Sequence, residues 1–176
     1  MNHEEYTEKK YLPEFVYGGT DGAVTTFAVV AGVTGAALSN SIILIIGFAN
    51  LIADGFSMAT SNYLSTKSRN EFGKKFRGIR ANPKKTATVT FFSFFIIGII
   101  PLLSYVLGAM TDSDYIIENQ FVYSILLTII ALGIVGFFRG EVTGKHKIKT
   151  SIQTISIGGI AAVLAYVVGY LIKGLV

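Results

Sequence analysis

The chain has 176 residues, of which 51% are hydrophobic and 15% charged, with a formal net charge of +4 at pH 7 and no cysteine. That composition, with its positive mean hydropathy, belongs to an integral membrane protein and leaves no room for a second large domain. The absence of cysteine rules out disulfides, zinc-thiolate sites, iron–sulfur ligation and thiol nucleophiles, so any metal must be held by oxygen, imidazole or thioether.

Residues 1–14 are polar and contain Glu4, Glu5, Glu8 and Glu14. They lack the basic-then-apolar order of a cleavable signal peptide, so the apolar run that follows is expected to remain as a span. A hydrocarbon core of about 30 Å takes about 20 helical residues. Five stretches meet that length: Phe15 to Leu38, Ser41 to Tyr63, Val89 to Met110, Phe121 to Phe138 and Ile155 to Leu175. The expected fold is an all-α integral membrane protein with five transmembrane helices, made of a cytoplasmic segment 1–14 and a transmembrane domain 15–176. Only Ser39 and Asn40 separate the first two spans, which predicts a tight antiparallel hairpin with touching faces.

Cytoplasmic loops keep an excess of Lys and Arg. Lys9 and Lys10 precede the first span; Lys67, Arg69, Lys74, Lys75, Arg77, Arg80, Lys84 and Lys85 lie between the second and third; Arg139, Lys145, Lys147 and Lys149 lie between the fourth and fifth. The loop between the third and fourth spans offers Asp112, Asp114 and Glu118 instead. The N-terminus is therefore expected to be cytoplasmic and the C-terminus outside. The positive-inside bias, with anionic headgroups as counter-charge, accounts for the net charge. No ordered basic face for nucleic acid is visible. An odd span count also excludes a simple duplicated inverted repeat. His3 and His146 read as solvated surface, and Tyr105, Tyr123 and Tyr170 as an interfacial belt.

Two acids, Asp21 and Asp54, fall inside the first two spans. A carboxylate in hydrocarbon costs roughly 2.5 to 3.5 kcal/mol even on lenient scales, so such a residue marks a candidate functional site. In the second span Asn50, Asp54, Met58 and Asn62 recur every fourth residue and form one helical stripe. The first span adds Asp21, Thr25 and Thr26 beside Gly18, Gly19 and Gly22, where the backbone is expected to unwind and offer carbonyl oxygens. Counting about 1.5 Å per residue from Phe15 and Tyr63 puts Asp21 about 9 Å deep, Met58 about 8 Å and Asp54 about 14 Å. Hard oxygens with one thioether suit softer first-row divalent ions such as ferrous iron or manganese better than magnesium. The expected metal residues are Asp21, Asp54, Met58, Asn50 and Asn62, with Thr25 and Gly22 lining the path. An intramembrane aspartyl protease also needs two acids on adjacent spans, but neither a Tyr-Asp pair nor Gly-x-Gly-Asp is present.

The run Asp21-Gly22-Ala23-Val24-Thr25-Thr26-Phe27-Ala28-Val29-Val30-Ala31-Gly32, followed by Gly47-Phe48-Ala49-Asn50-Leu51-Ile52-Ala53-Asp54-Gly55-Phe56-Ser57-Met58-Ala59, closely resembles the vacuolar iron transporter family, which includes nodulin-like members. The stretch Gly158-Gly159-Ile160-Ala161-Ala162 is similar to it as well. The resemblance implies a five-helix protein that dimerises, with an ion path between the first helices of two subunits. It also implies export of Fe2+ or Mn2+ from the cytosol in exchange for protons, with Asp21, Asp54 and Met58 in the path. The partners would be a divalent metal ion, protons, the lipid bilayer and a second copy, with no nucleic acid, no resident cofactor and no enzyme activity. Two departures stand out. Family members usually carry Gly-Glu-Tyr after the methionine, where this chain has Ser61-Asn62-Tyr63; larger members insert a glutamate-rich domain between spans two and three, where this chain has a short basic connection with only Glu71. A connection of that charge repels a divalent cation. The alternative expectation is a transport-inactive metal sensor or scaffold. With no targeting segment, the cell membrane rather than an organelle membrane is expected.

Overall fold

Long apolar stretches with no water to bond their peptide groups close on themselves as helices. A computed structural model describes the backbone over residues 3–73, 81–111 and 113–175, and the side chains over 10–72, 81–111 and 113–175. The elements are α1 (His3–Gly35), α2 (Asn40–Gly73), α3 (Pro83–Gly98), a 3-10 turn (Ile100–Leu102), α4 (Leu103–Met110), α5 (Asp114–Thr143) and α6 (Lys147–Lys173). Lys74, Lys75, Arg77, Arg80 and Asp112 lie outside the described residues, as do the side chains of His3, Glu4, Glu5, Glu8 and Lys9.

Among the described residues, four stretches are long and apolar enough to cross a membrane: Asn40–Phe72, Pro83–Met110, Asp114–Thr143 and Lys147–Lys173. The protein is thus an all-helical integral membrane protein. The first expected span differs from the rest. α1 is 33 residues long, but Gly, Thr and Asp21 dilute its apolar content, and it lies at the centre of the bundle against α2, α3, α5 and α6.

Two grooves free of side chains seat α1. A Cβ on Gly22 would fall on the Phe94 carbonyl oxygen, and one on Gly18 would meet the Ser93 hydroxyl and the Thr90 carbonyl, so α3 lies against bare backbone there. On another flank Gly35 abuts the Tyr166 backbone and Gly169 abuts that of Gly32 and Ala36, which brings α6 equally close. Small residues at helix crossings permit this approach. The glycine cluster was expected to unwind, and it does not: α1 is unbroken from His3 to Gly35, because its glycines are occupied in packing. As a result α1 lies closer along α3 than along α2, its hairpin neighbour.

The 1–14 segment continues into the same helix, so the expected boundary at Phe15 falls inside α1. α2 runs on from Tyr63 to Gly73, about 15 Å beyond the expected span end. Asn70 Nδ2 then donates to the Ala81 carbonyl at 2.7 Å and clasps the two sides of the connection. Pro101, which has no N–H to give, breaks the third span into α3 and α4. Ser124 on α5 donates to the Pro101 carbonyl at 2.7 Å, so the break leaves that oxygen satisfied. Between α5 and α6, Gly144 adopts φ 63° and His146 takes the N-cap position. Arg139 therefore belongs to α5, and Lys147 and Lys149 to α6, rather than to a loop.

The main apolar cluster gathers Val30, Leu51, Met58, Phe94 and Leu102, and a second joins Ala23, Ile97, Leu132 and Val135. α6 fully buries only the stripe Thr150, Thr154, Gly158 and Ala162, packs Ile155 and Ala165 partly against the two clusters, and leaves most of its other apolar side chains outward, as a lipid-facing helix does.

Candidate metal path

On α1, Glu14, Asp21 and Thr25 follow one another at helical spacing and share a face. Asp21 is half-buried and lines a cleft of about 560 Å³ between α1, α5 and α6, with Tyr17, Thr20, Arg139, Thr143 and Thr154. Thr25 Oγ1 donates back to the Asp21 carbonyl at 2.8 Å. That bond takes up the hydroxyl proton and leaves the oxygen lone pairs, the electrons a cation would use. Gly22 lies on the flank closed by α3.

On α2, Asp54 is half-buried between the exposed Ala53 and the buried Gly55, and its charge lies within electrostatic reach of Asp21. An antiparallel hairpin closed at 36–39 brings these positions level, but Asp54 does not line the Asp21 cleft, which α1, α5 and α6 enclose. The other three members of the α2 stripe have different surroundings. Asn50 is half-buried with its Nδ2 lacking a hydrogen-bond partner. Buried polar atoms are seldom left so. The Thr26 hydroxyl on α1, which the same hairpin pairing brings to about that level, is also buried without a partner. Met58 is 8% exposed and packs in the main apolar cluster. Asn62 is committed to α3: its Nδ2 donates to Thr90 Oγ1 at 2.6 Å and its Oδ1 accepts from Thr66 Oγ1 at 3.4 Å.

Sequence reasoning placed Glu14 in a polar tail. In the structure it lines a second cavity, of about 360 Å³, with Pro13, Tyr17, Ser61, Asn62, Ser65 and Arg69. Its Oε2 is buried without a hydrogen-bond partner. Pro13 and Tyr17 line both cavities, so the two adjoin. The signal was present: Glu14 precedes Asp21 by two helical turns. Arg139 was likewise read as loop charge; it lines the Asp21 cleft and donates to Thr154 Oγ1 at 3.4 Å.

Among the described residues no group of three or more His, Asp or Glu side chains gathers within one chain.

Comparison with known proteins gives a consistent pattern. A family model described as the VIT family matches residues 12–78 and 70–170, in blocks that meet at the α2–α3 connection. The chain is 27% identical to a vacuolar iron transporter of Toxoplasma gondii (strain ATCC 50861 / VEG), an alignment covering 98% of this chain and 77% of that protein. It is 23% identical to vacuolar iron transporter 1 of Oryza sativa subsp. japonica, over 92% of this chain and 85% of the relative. With vacuolar iron transporter 1 of Arabidopsis thaliana it shares 24% identity, over 93% and 86%. The first alignment runs over 240 positions against a chain of 176 residues, so that relative carries sequence this chain lacks.

Proposed function

The chain belongs to the VIT family, and from that membership we propose that it transports a divalent transition-metal ion, Fe2+ or Mn2+, out of the cytosol in exchange for protons. One observation supports this reading: the antiparallel pairing of α1 and α2 puts Asp21 and Asp54 at one level of the first hairpin. The hydrated ion enters at the cavity of Glu14 and Asn62 and passes to Asp21 and Asp54. Asn50 offers its amide oxygen there, and Met58 swings its flexible thioether out of the apolar cluster to add a soft donor. When the metal leaves, carboxylates crowded in low dielectric take up protons in its place. The metal is cargo rather than a resident cofactor, and the chain performs no bond chemistry.

In this reading α1 is the fifth span. Enclosed by four helices, it does not need an apolar face all round. Residues 15–176 form the transport domain and 1–14 its cytoplasmic start, with the C-terminus on the far side. Two copies joined along the outer flank of α2 bring two sets of Asp21 and Asp54 toward one axis and complete a coordination shell that one chain leaves sparse. The relatives' vacuolar names favour an organelle membrane over the cell membrane expected from the sequence.

The test is uptake into proteoliposomes holding a metal-sensitive dye and a pH reporter. The wild type should give coupled metal and proton signals, whereas Asp21→Asn and Asp54→Asn, folded by circular dichroism and gel filtration, should give neither. Flux that survives both changes rejects the path. A second reading, a membrane metal sensor, draws on the engagement of Asn62 with Thr90, which withdraws the polar group at the family's glutamate position. A sensor would bind metal with no flux.

A further inference from the structure

Two apolar clefts flank the cytoplasmic end of α3, and Lys84 lines both. The first, of about 580 Å³, runs between α1 and α3 and is lined by Tyr11, Leu12, Phe15, Lys84, Lys85, Thr88 and Val89. The second, of about 540 Å³, runs between α2 and α3 past Phe56, Tyr63, Lys84, Thr88 and Phe91. No carboxylate lines either cleft. Both lysines are exposed. The helix end itself is occupied, since Asn82 Oδ1 accepts from the backbone N–H groups of Lys84 at 3.0 Å and Lys85 at 3.4 Å. Any anion at this point is therefore held by the two ammonium groups, not by free peptide N–H.

The walls are as built as the rim. Tyr11 accepts from the Asn82 N–H at 3.4 Å, which pins α1 to the start of α3 and fixes the mouth of the first cleft. Thr88 Oγ1 donates to the Lys84 carbonyl at 2.9 Å, so the ridge between the clefts presents the threonine methyl to an occupant. A cationic rim over two hydrocarbon-lined grooves that share one ridge matches one kind of molecule: a phosphate-bearing head with two chains.

We propose that an anionic diacyl phospholipid of the cytoplasmic leaflet binds astride α3, its phosphate on Lys84 and Lys85 and one acyl chain in each cleft. A zwitterionic lipid fits the grooves but carries its own cation to the rim, where it meets the lysines with like charge. The proposal rests on the membrane reading of the fold and is independent of the cargo.

Native mass spectrometry of the detergent-solubilised protein with equimolar phosphatidylglycerol and phosphatidylcholine tests it. The wild type should retain one phosphatidylglycerol per chain in preference to phosphatidylcholine, and phosphatidylglycerol alone should raise the melting midpoint. Near an interface each lysine strengthens anionic-lipid binding about fivefold, so Lys84→Gln with Lys85→Gln should weaken the preference about thirtyfold. Thr88→Trp, which fills the ridge and keeps both charges, should abolish retention and leave metal flux intact. Equal retention of the two lipids by the wild type, an unchanged preference in both variants, competition by inorganic phosphate, or protection of the clefts by a second copy in cross-linking would each overturn the assignment.

Discussion

In the proposed path Glu14 stands as a single carboxylate at the mouth, in the cavity it shares with Asn62. One charge acting on a divalent ion about 6 Å away through water is worth about 1.4 kcal/mol, or tenfold. Glu14→Gln should therefore raise the half-saturating metal concentration about tenfold and leave the saturated rate unchanged in proteoliposome flux. Asn62→Glu should lower it. Met58→Leu keeps volume in the apolar cluster, so it should cost less than about 1.5 kcal/mol of stability. Removal of the soft donor should shift selectivity from Fe2+ toward Mn2+ in a competition series. The stripe Asn50, Asp54, Met58 and Asn62 was legible as a stripe, because period-four spacing on a membrane helix needs no tertiary information. The division of labour within it was not legible. That Asn62 lines the Glu14 cavity and also bonds Thr90 depends on how α3 crosses α2, and no local pattern encodes that crossing.

All five stretches expected to be helical are helical, and among the described residues four of them are long and apolar enough to cross a membrane. Helix ends and breaks were missed wherever the deciding partner was remote: the continuation of α2 to Gly73, and the break at Pro101 made tolerable by Ser124 on α5. The glycines of α1 were visible and misread. The same absence of a side chain permits either unwinding or close packing, and only the neighbouring helix selects between them. Gly22→Leu should therefore destabilise the protein by about 3 kcal/mol through overpacking against Phe94, read as a lower midpoint in detergent-chemical unfolding. The opposite sign is expected at the hairpin. Ala37 holds φ 54°, a conformation that costs an L-residue about 1 kcal/mol and glycine almost nothing. Ala37→Gly should raise the thermal midpoint.

Across the whole molecule, α1 acts as a central post with α3 and α6 gripping it through bare backbone, while α2 stands on the outer flank with Asp54 half-exposed. Terminal tags give the vector: a protease added to sealed right-side-out vesicles should spare an N-terminal tag and remove a C-terminal one. Positive-inside counting is the basis of this expected orientation, whereas the enclosure of α1 was hidden, because its low hydropathy is explained only by the four helices around it. The prolongation of α2 as a rigid rod has a further consequence. It carries Lys67 and Arg69 past the expected span end at Tyr63, on the side of the α2–α3 connection where Lys84 and Lys85 start α3, and all four are exposed. In the proposed path an approaching cation meets this electropositive collar before it reaches Glu14. Electrolyte shrinks the collar's range from about 30 Å at 0.01 M to about 10 Å at 0.1 M. At fixed free metal, turnover should climb as background salt increases, the reverse of what an acidic funnel would give.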